Sequence, residues 1–171
     1  MTDLQELKTQ IQNASGGQNP ADHVLARIVA FLPGPTIFVD ADVPVHGATD
    51  PGKVFVVSGS RVLLATFKNA AGVDSTDNPN RSSVEVTTWR RSDLRRISLE
   101  GDLDGRNSAL DGRNSDLGWR SAAGGAWPSG AVVTLLYKDD QTVRLPMRKD
   151  PSDSQLAAVR SITQELLADL A

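Results

Sequence analysis

The chain has 171 residues, a net charge of −3, two His and no Cys. At about 150 residues per domain this is one domain with room for extra segments, long enough to fold without disulfides or metals. The lack of Cys excludes thiolate zinc sites, iron–sulfur ligation and thiol nucleophiles, and the acidic balance argues against nucleic acid as a partner, although Arg outnumbers Lys 13 to 5.

In chain order, segment 3–12 reads as a helix. Thr2 can cap it, Gln5 follows three residues on, and Leu4, Leu7 and Ile11 recur at helical spacing. Ser15-Gly16-Gly17 breaks it. A second helix is expected over 20–32, with Asn19 as cap, Pro20 at the first position, Asp22 in the first turn and Val24, Leu25, Ile28, Val29 and Leu32 as its stripe. Pro33-Gly34-Pro35 ends it. The start MTDLQELKTQIQ has no apolar run, and no stretch approaches the roughly 18 apolar residues of a membrane span, so the expected location is cytoplasmic.

The period then changes to two. Strands are expected at 36–43, 53–58, 61–68, 83–90, 95–100, 131–138 and 142–147, with tight turns at Ser58-Gly59-Ser60 and Asp139-Asp140. Pro146 places the last of them at a sheet edge or a bulge. A closing helix over 151–170 repeats the start of the second, with Asp150 as cap, then Pro151 and Asp153. Its stripe is Leu156, Val159, Ile162, Leu166 and Leu170. The short connections imply antiparallel pairing and exclude a doubly wound parallel sheet. The fold class is therefore α+β and mainly β: seven antiparallel strands forming a small barrel or orthogonal sandwich, its open end covered by the helix.

Segment 101–130 stands apart. It holds a tandem heptapeptide, Leu103 to Ala109 and Leu110 to Asp116, whose glycines oppose a helix. It reads as a lengthened surface loop, or as a binding loop presenting Arg106, Arg113 and Arg120.

From Lys53 onward, the order of elements resembles the bacterial pleckstrin-homology-like (PH-like) domains, including the GRAM-type members. The residues that carry the resemblance are SGSRVLLATFK as a hairpin into the third strand, WRRSDLRRISLEG as a polar turn into the next, AVVTLLYKDDQTVRLPM as the final hairpin, and SDSQLAAVRSITQELL as the closing helix. The resemblance implies a seven-stranded PH-like barrel over 36–171 with a C-terminal capping helix, and leaves 1–35 as a helical extension. Lipid-binding members hold inositol phosphates with basic residues around the first hairpin. The corresponding loop here offers His46 and Lys53 beside Asp40, Asp42 and Asp50, too acidic for that chemistry, and the lipid site is not carried over.

The cationic concentration is Arg90, Arg91, Arg95 and Arg96. It is a candidate for gripping an anionic lipid or an acidic partner, or for pairing with Glu85, Asp93 and Glu100 on the surface; alternation sends Arg95 and Arg96 to opposite faces. Trp119 and Trp127 are candidate interface residues, Trp127 alternatively capping the barrel end. His23 and His46 lack metal-ligand spacing, and Asp102-x-Asp104-Gly105 places Arg106 where a calcium loop needs a ligand, so no metal or cofactor is expected. No nucleophile elbow, P-loop or dinucleotide fingerprint occurs. The expected function is non-catalytic binding of a protein or peptide, along an edge strand or the groove beside the closing helix, with self-association through the N-terminal helices as a further outlet. The alternatives are a membrane adaptor binding anionic lipid through the Arg cluster, and a small enzyme of unrecognised type.

Overall fold

The computed structural model describes residues 3–45, 48, 50–68, 83–100 and 131–170. The repeat segment, with Arg106, Arg113, Arg120, Trp119 and Trp127, lies outside the described residues, as does His46.

Helix α1 spans Leu4–Ser15 and α2 spans Asp22–Phe31. Asp3, not Thr2, caps α1, its Oδ1 accepting the Gln5 N–H at 3.0 Å. Gly16 ends α1 in the left-handed conformation at φ 74°, which a residue with a side chain adopts at a cost. Helix α3 spans Asp153–Ala168 and is capped by Ser152, whose Oγ accepts the Gln155 N–H. At both α2 and α3 the cap therefore sits two residues after the Asn19 or Asp150 position expected from sequence. Pro20 and Pro151 lie outside the helices, and Asp22 and Asp153 open them at the positive end of the dipole.

The strands are β1 (Thr36–Asp42), β2 (Gly52–Ser58), β3 (Arg61–Lys68), β4 (Ser83–Arg90), β5 (Leu94–Glu100), β6 (Val132–Tyr137) and β7 (Thr142–Leu145). All pairings are antiparallel. They form two sheets, β1-β2-β3-β4 and β5-β6-β7, rather than the expected closed barrel. The ladder breaks between β4 and β5, where Arg91–Asp93 make a 3-10 turn and the Asp93 Oδ2 accepts the Arg90 N–H at 3.1 Å. Between β6 and β7, Asp139 and Asp140 both take positive φ, 61° and 57°, as a two-residue hairpin turn matching the strand twist requires.

The four-stranded sheet is the middle layer. One face packs on α1 and α2 through Val39, Ala41, Val54, Val56, Leu63, Ala65 and Phe67 against Leu7, Ile11, Val24, Leu25 and Ile28. The other face packs on β5–β7 and α3 through Phe38, Phe55, Val57, Val62 and Trp89 against Val133, Leu135, Tyr137, Leu145, Val159, Ile162 and Leu166. Strand β2 alternates between the two cores, which is why Val54–Val57 is an unbroken apolar run with no polar face. The apolar stripes of the N-terminal helices are consumed inside the chain. Leu7, Ile11, Val24, Leu25 and Ile28 are fully buried.

Candidate functional site

The basic residues do not form one patch. Arg91 turns inward to α3: its Nε and Nη2 donate to Asp169 at 2.8 and 3.2 Å, and its Nη1 to Glu165 Oε1 at 2.8 Å. These partners hold its pKa up against the opposing effect of burial. Two of the three surface partners expected for the cluster are engaged elsewhere. Asp93 binds Lys138, which holds its carboxyl below the usual range, and Glu100 pairs with Arg144 at 3.1 Å.

Arg95 and Arg96 do not point to opposite faces. A register irregularity between Leu94 and Arg96 inserts an extra residue, so Leu94 and Ile97 both turn to the core and both arginines are exposed. Composition and period contain no signal for this bulge. Arg90 is also exposed.

A second site, unmarked by any motif, is a cleft of about 1140 Å³ beside α3. Its one wall is β7 and the chain leading into α3: Val143, Arg144, Pro146, Met147, Arg148, Lys149 and Asp150. The lining also includes Asp42, Asp50, Lys53 and Leu64, where Asp42 and Lys53 are direct register partners of β1 and β2. Arg148 packs its guanidinium against Gly16 at the negative end of α1, where a side chain at Gly16 would collide with it.

Beneath this wall lies Asp40, fully buried on β1. Its Oδ2 accepts the Met147 N–H at 2.7 Å, and its Oδ1 accepts the Gln155 Nε2 at 2.8 Å and the Ala41 N–H at 3.0 Å. Gln155 also donates to the Val39 carbonyl at 3.1 Å. Burial, the largest influence, raises the Asp40 pKa; the three hydrogen bonds pull the other way and the neighbouring Asp42 adds to the rise. Where a barrel would close by backbone pairing, the edge strand β1 is thus tied to the end of β7 and to α3 by one carboxylate. In the sequence alone Asp40 counts only as acidity near the first loop.

Among the described residues no group of His, Cys, Asp and Glu is arranged to hold a metal ion, and no helix is long and apolar enough to cross a membrane. The structure defines the class of the chain as an α+β protein of two antiparallel sheets and three described helices. Comparison with protein-family models, with curated proteins and with solved structures finds no match.

Proposed function

We propose that the chain is a non-catalytic PH-like binding domain whose cleft takes an extended segment of a protein partner along β7. The observation that carries this reading is that β7 pairs only with β6 among the described strands, and its Thr142, Val143 and Arg144 line the cleft. An edge strand presents unpaired N–H and C=O groups, and adding a strand to it satisfies them. Seven antiparallel strands with a helix closed over their shared core support the PH-like part of the reading.

The cleft walls carry both signs of charge, Lys53, Arg148 and Lys149 against Asp42, Asp50 and Asp150. A segment with alternating apolar residues and charges of both signs fits them. The test is selection of peptides from a random display library on the purified chain, followed by affinity measurement and amide exchange. Selected peptides are expected to slow exchange along 142–145 and to lose about tenfold or more in affinity for a Lys53→Glu/Lys149→Glu variant. Peptides that bind the variant equally and leave those amides unprotected would overturn the reading.

A further inference from the structure

The register of the four-stranded sheet gathers one end of the molecule. Thr36 of β1 faces Ser58 of β2, the β2–β3 turn follows at once, and Arg61 of β3 faces Arg90 of β4. Arg61 and Arg90 are direct cross-strand partners of like charge, both exposed. Such a pair destabilises a sheet unless an anion relieves it. Among the described residues the nearby carboxylates relieve it only in part: Asp93 is within electrostatic reach of Arg90 but binds Lys138 and the Arg90 N–H, while Glu165 and Asp169 take Arg91. The Arg91 N–H donates to the Ser60 carbonyl at 3.0 Å, which holds the β4–β5 corner against the β2–β3 turn. Around that corner the bulge in β5 turns Arg95 and Arg96 outward.

The same end carries apolar surface. Phe31, at the end of α2, is 53% exposed, and Ile37, where the chain enters β1, is 46% exposed. Leu32 anchors the link between them in the core.

We propose that this end docks on an anionic membrane surface, with Arg61, Arg90, Arg95 and Arg96 meeting lipid head groups and Phe31 and Ile37 entering the interface. Charge complementarity supports an anionic membrane: four exposed arginines gather at this end beside exposed Phe31 and Ile37. The arginines lie at a sheet end and around the corner that Arg91–Asp93 make. Mobile anionic head groups gather under such a surface, and apolar side chains beside cations are what an interfacial site combines. This surface lies away from the end of β1 and β2 where Asp42 and Lys53 line the cleft, so the two readings stand or fall separately.

The experiment is co-sedimentation of the full chain with phosphatidylcholine–phosphatidylglycerol vesicles and with pure phosphatidylcholine vesicles, at low and physiological salt. Binding is expected to the anionic vesicles and to weaken with salt. Each arginine replaced should lower partitioning about fivefold, so Arg61→Gln/Arg90→Gln and Arg95→Gln/Arg96→Gln each lose about 25-fold. Phe31→Ser should weaken binding at both salt concentrations. Lys68→Gln, at the opposite end of β3, should leave it unchanged. Circular dichroism checks that each variant is folded, and the cleft variant Lys53→Glu/Lys149→Glu should still sediment. The proposal is overturned if the folded wild-type chain stays in the supernatant at low salt. It is equally overturned if the fourfold arginine variant still sediments, or if the chain binds polyglutamate and not anionic vesicles.

Discussion

Gln155 Nε2 donates at 2.8 Å to Oδ1 of Asp40, joining helix α3 to strand β1 across 115 positions of the chain. The same carboxylate accepts the Met147 N–H, so it ties β1 to the chain just after β7 as well. It also sets the first prediction. The folded-state pKa of Asp40 is raised above its ordinary 3.8, so the native state holds the proton more tightly than the unfolded chain does. The contribution of this group to stability is therefore full below pH 3.8 and is lost as pH rises through the native value. Urea unfolding of wild type and Asp40→Asn from about pH 3 to about pH 7 isolates it. The difference between the two should shift with pH in the variant's favour. A constant difference would show that Asp40 does not titrate in this way. Asp40→Ala leaves the Met147 N–H and the Gln155 amide without their acceptor, and is expected to cost about 1–3 kcal/mol.

Arg91 binds two carboxylates of α3 through a forked geometry that Lys cannot reproduce. Arg91→Ala should lower stability by about 1–3 kcal/mol, with Arg91→Lys intermediate. Amide exchange should quicken first in the last turn of α3, near Leu166 and Asp169. Uniform quickening over the whole chain would instead show a loss of global stability with no local role for the ion pairs at the end of α3.

Tyr137 is the one tyrosine of the chain, which makes its titration directly readable by absorbance. It is fully buried, stacks on Trp89 with ring centroids 5.3 Å apart, and its hydroxyl has no hydrogen-bond partner among the described residues. Burial, with Asp169 nearby, pushes its pKa well above the ordinary value of 10. The native chain should show no tyrosinate until alkaline unfolding. Tyr137→Phe should be neutral or stabilising by up to about 1 kcal/mol, because it removes an unsatisfied buried hydroxyl. A loss of stability beyond that would reveal a partner for the hydroxyl.

The candidate sites were legible to different degrees. The clustering of Arg90, Arg91, Arg95 and Arg96 is visible in the sequence, but its division is not. Arg91 finds Asp169 78 positions away, and a bulge, not alternation, decides where Arg95 and Arg96 face. The opposition of Arg61 and Arg90 needs a strand register, which adjacent residues do not encode. Asp40 looks like any surface carboxylate of a strand until Met147 and Gln155 are brought to it.

Local physics accounts for what the sequence determined by itself. The seven strands follow from period-two alternation and β-branched runs, the three helices from stripes at steps of three and four, and the turns from Gly and Asp at positions needing left-handed backbone. What only the tertiary structure decided is how those elements are partnered: two sheets instead of a ring, N-terminal helices covering the second face of the middle sheet, and a buried carboxylate closing β1 onto β7. Strand pairing and burial are contests between distant segments for the same apolar surface and the same hydrogen bonds. Their outcome depends on the sum over the whole chain, and no window of neighbouring residues contains it.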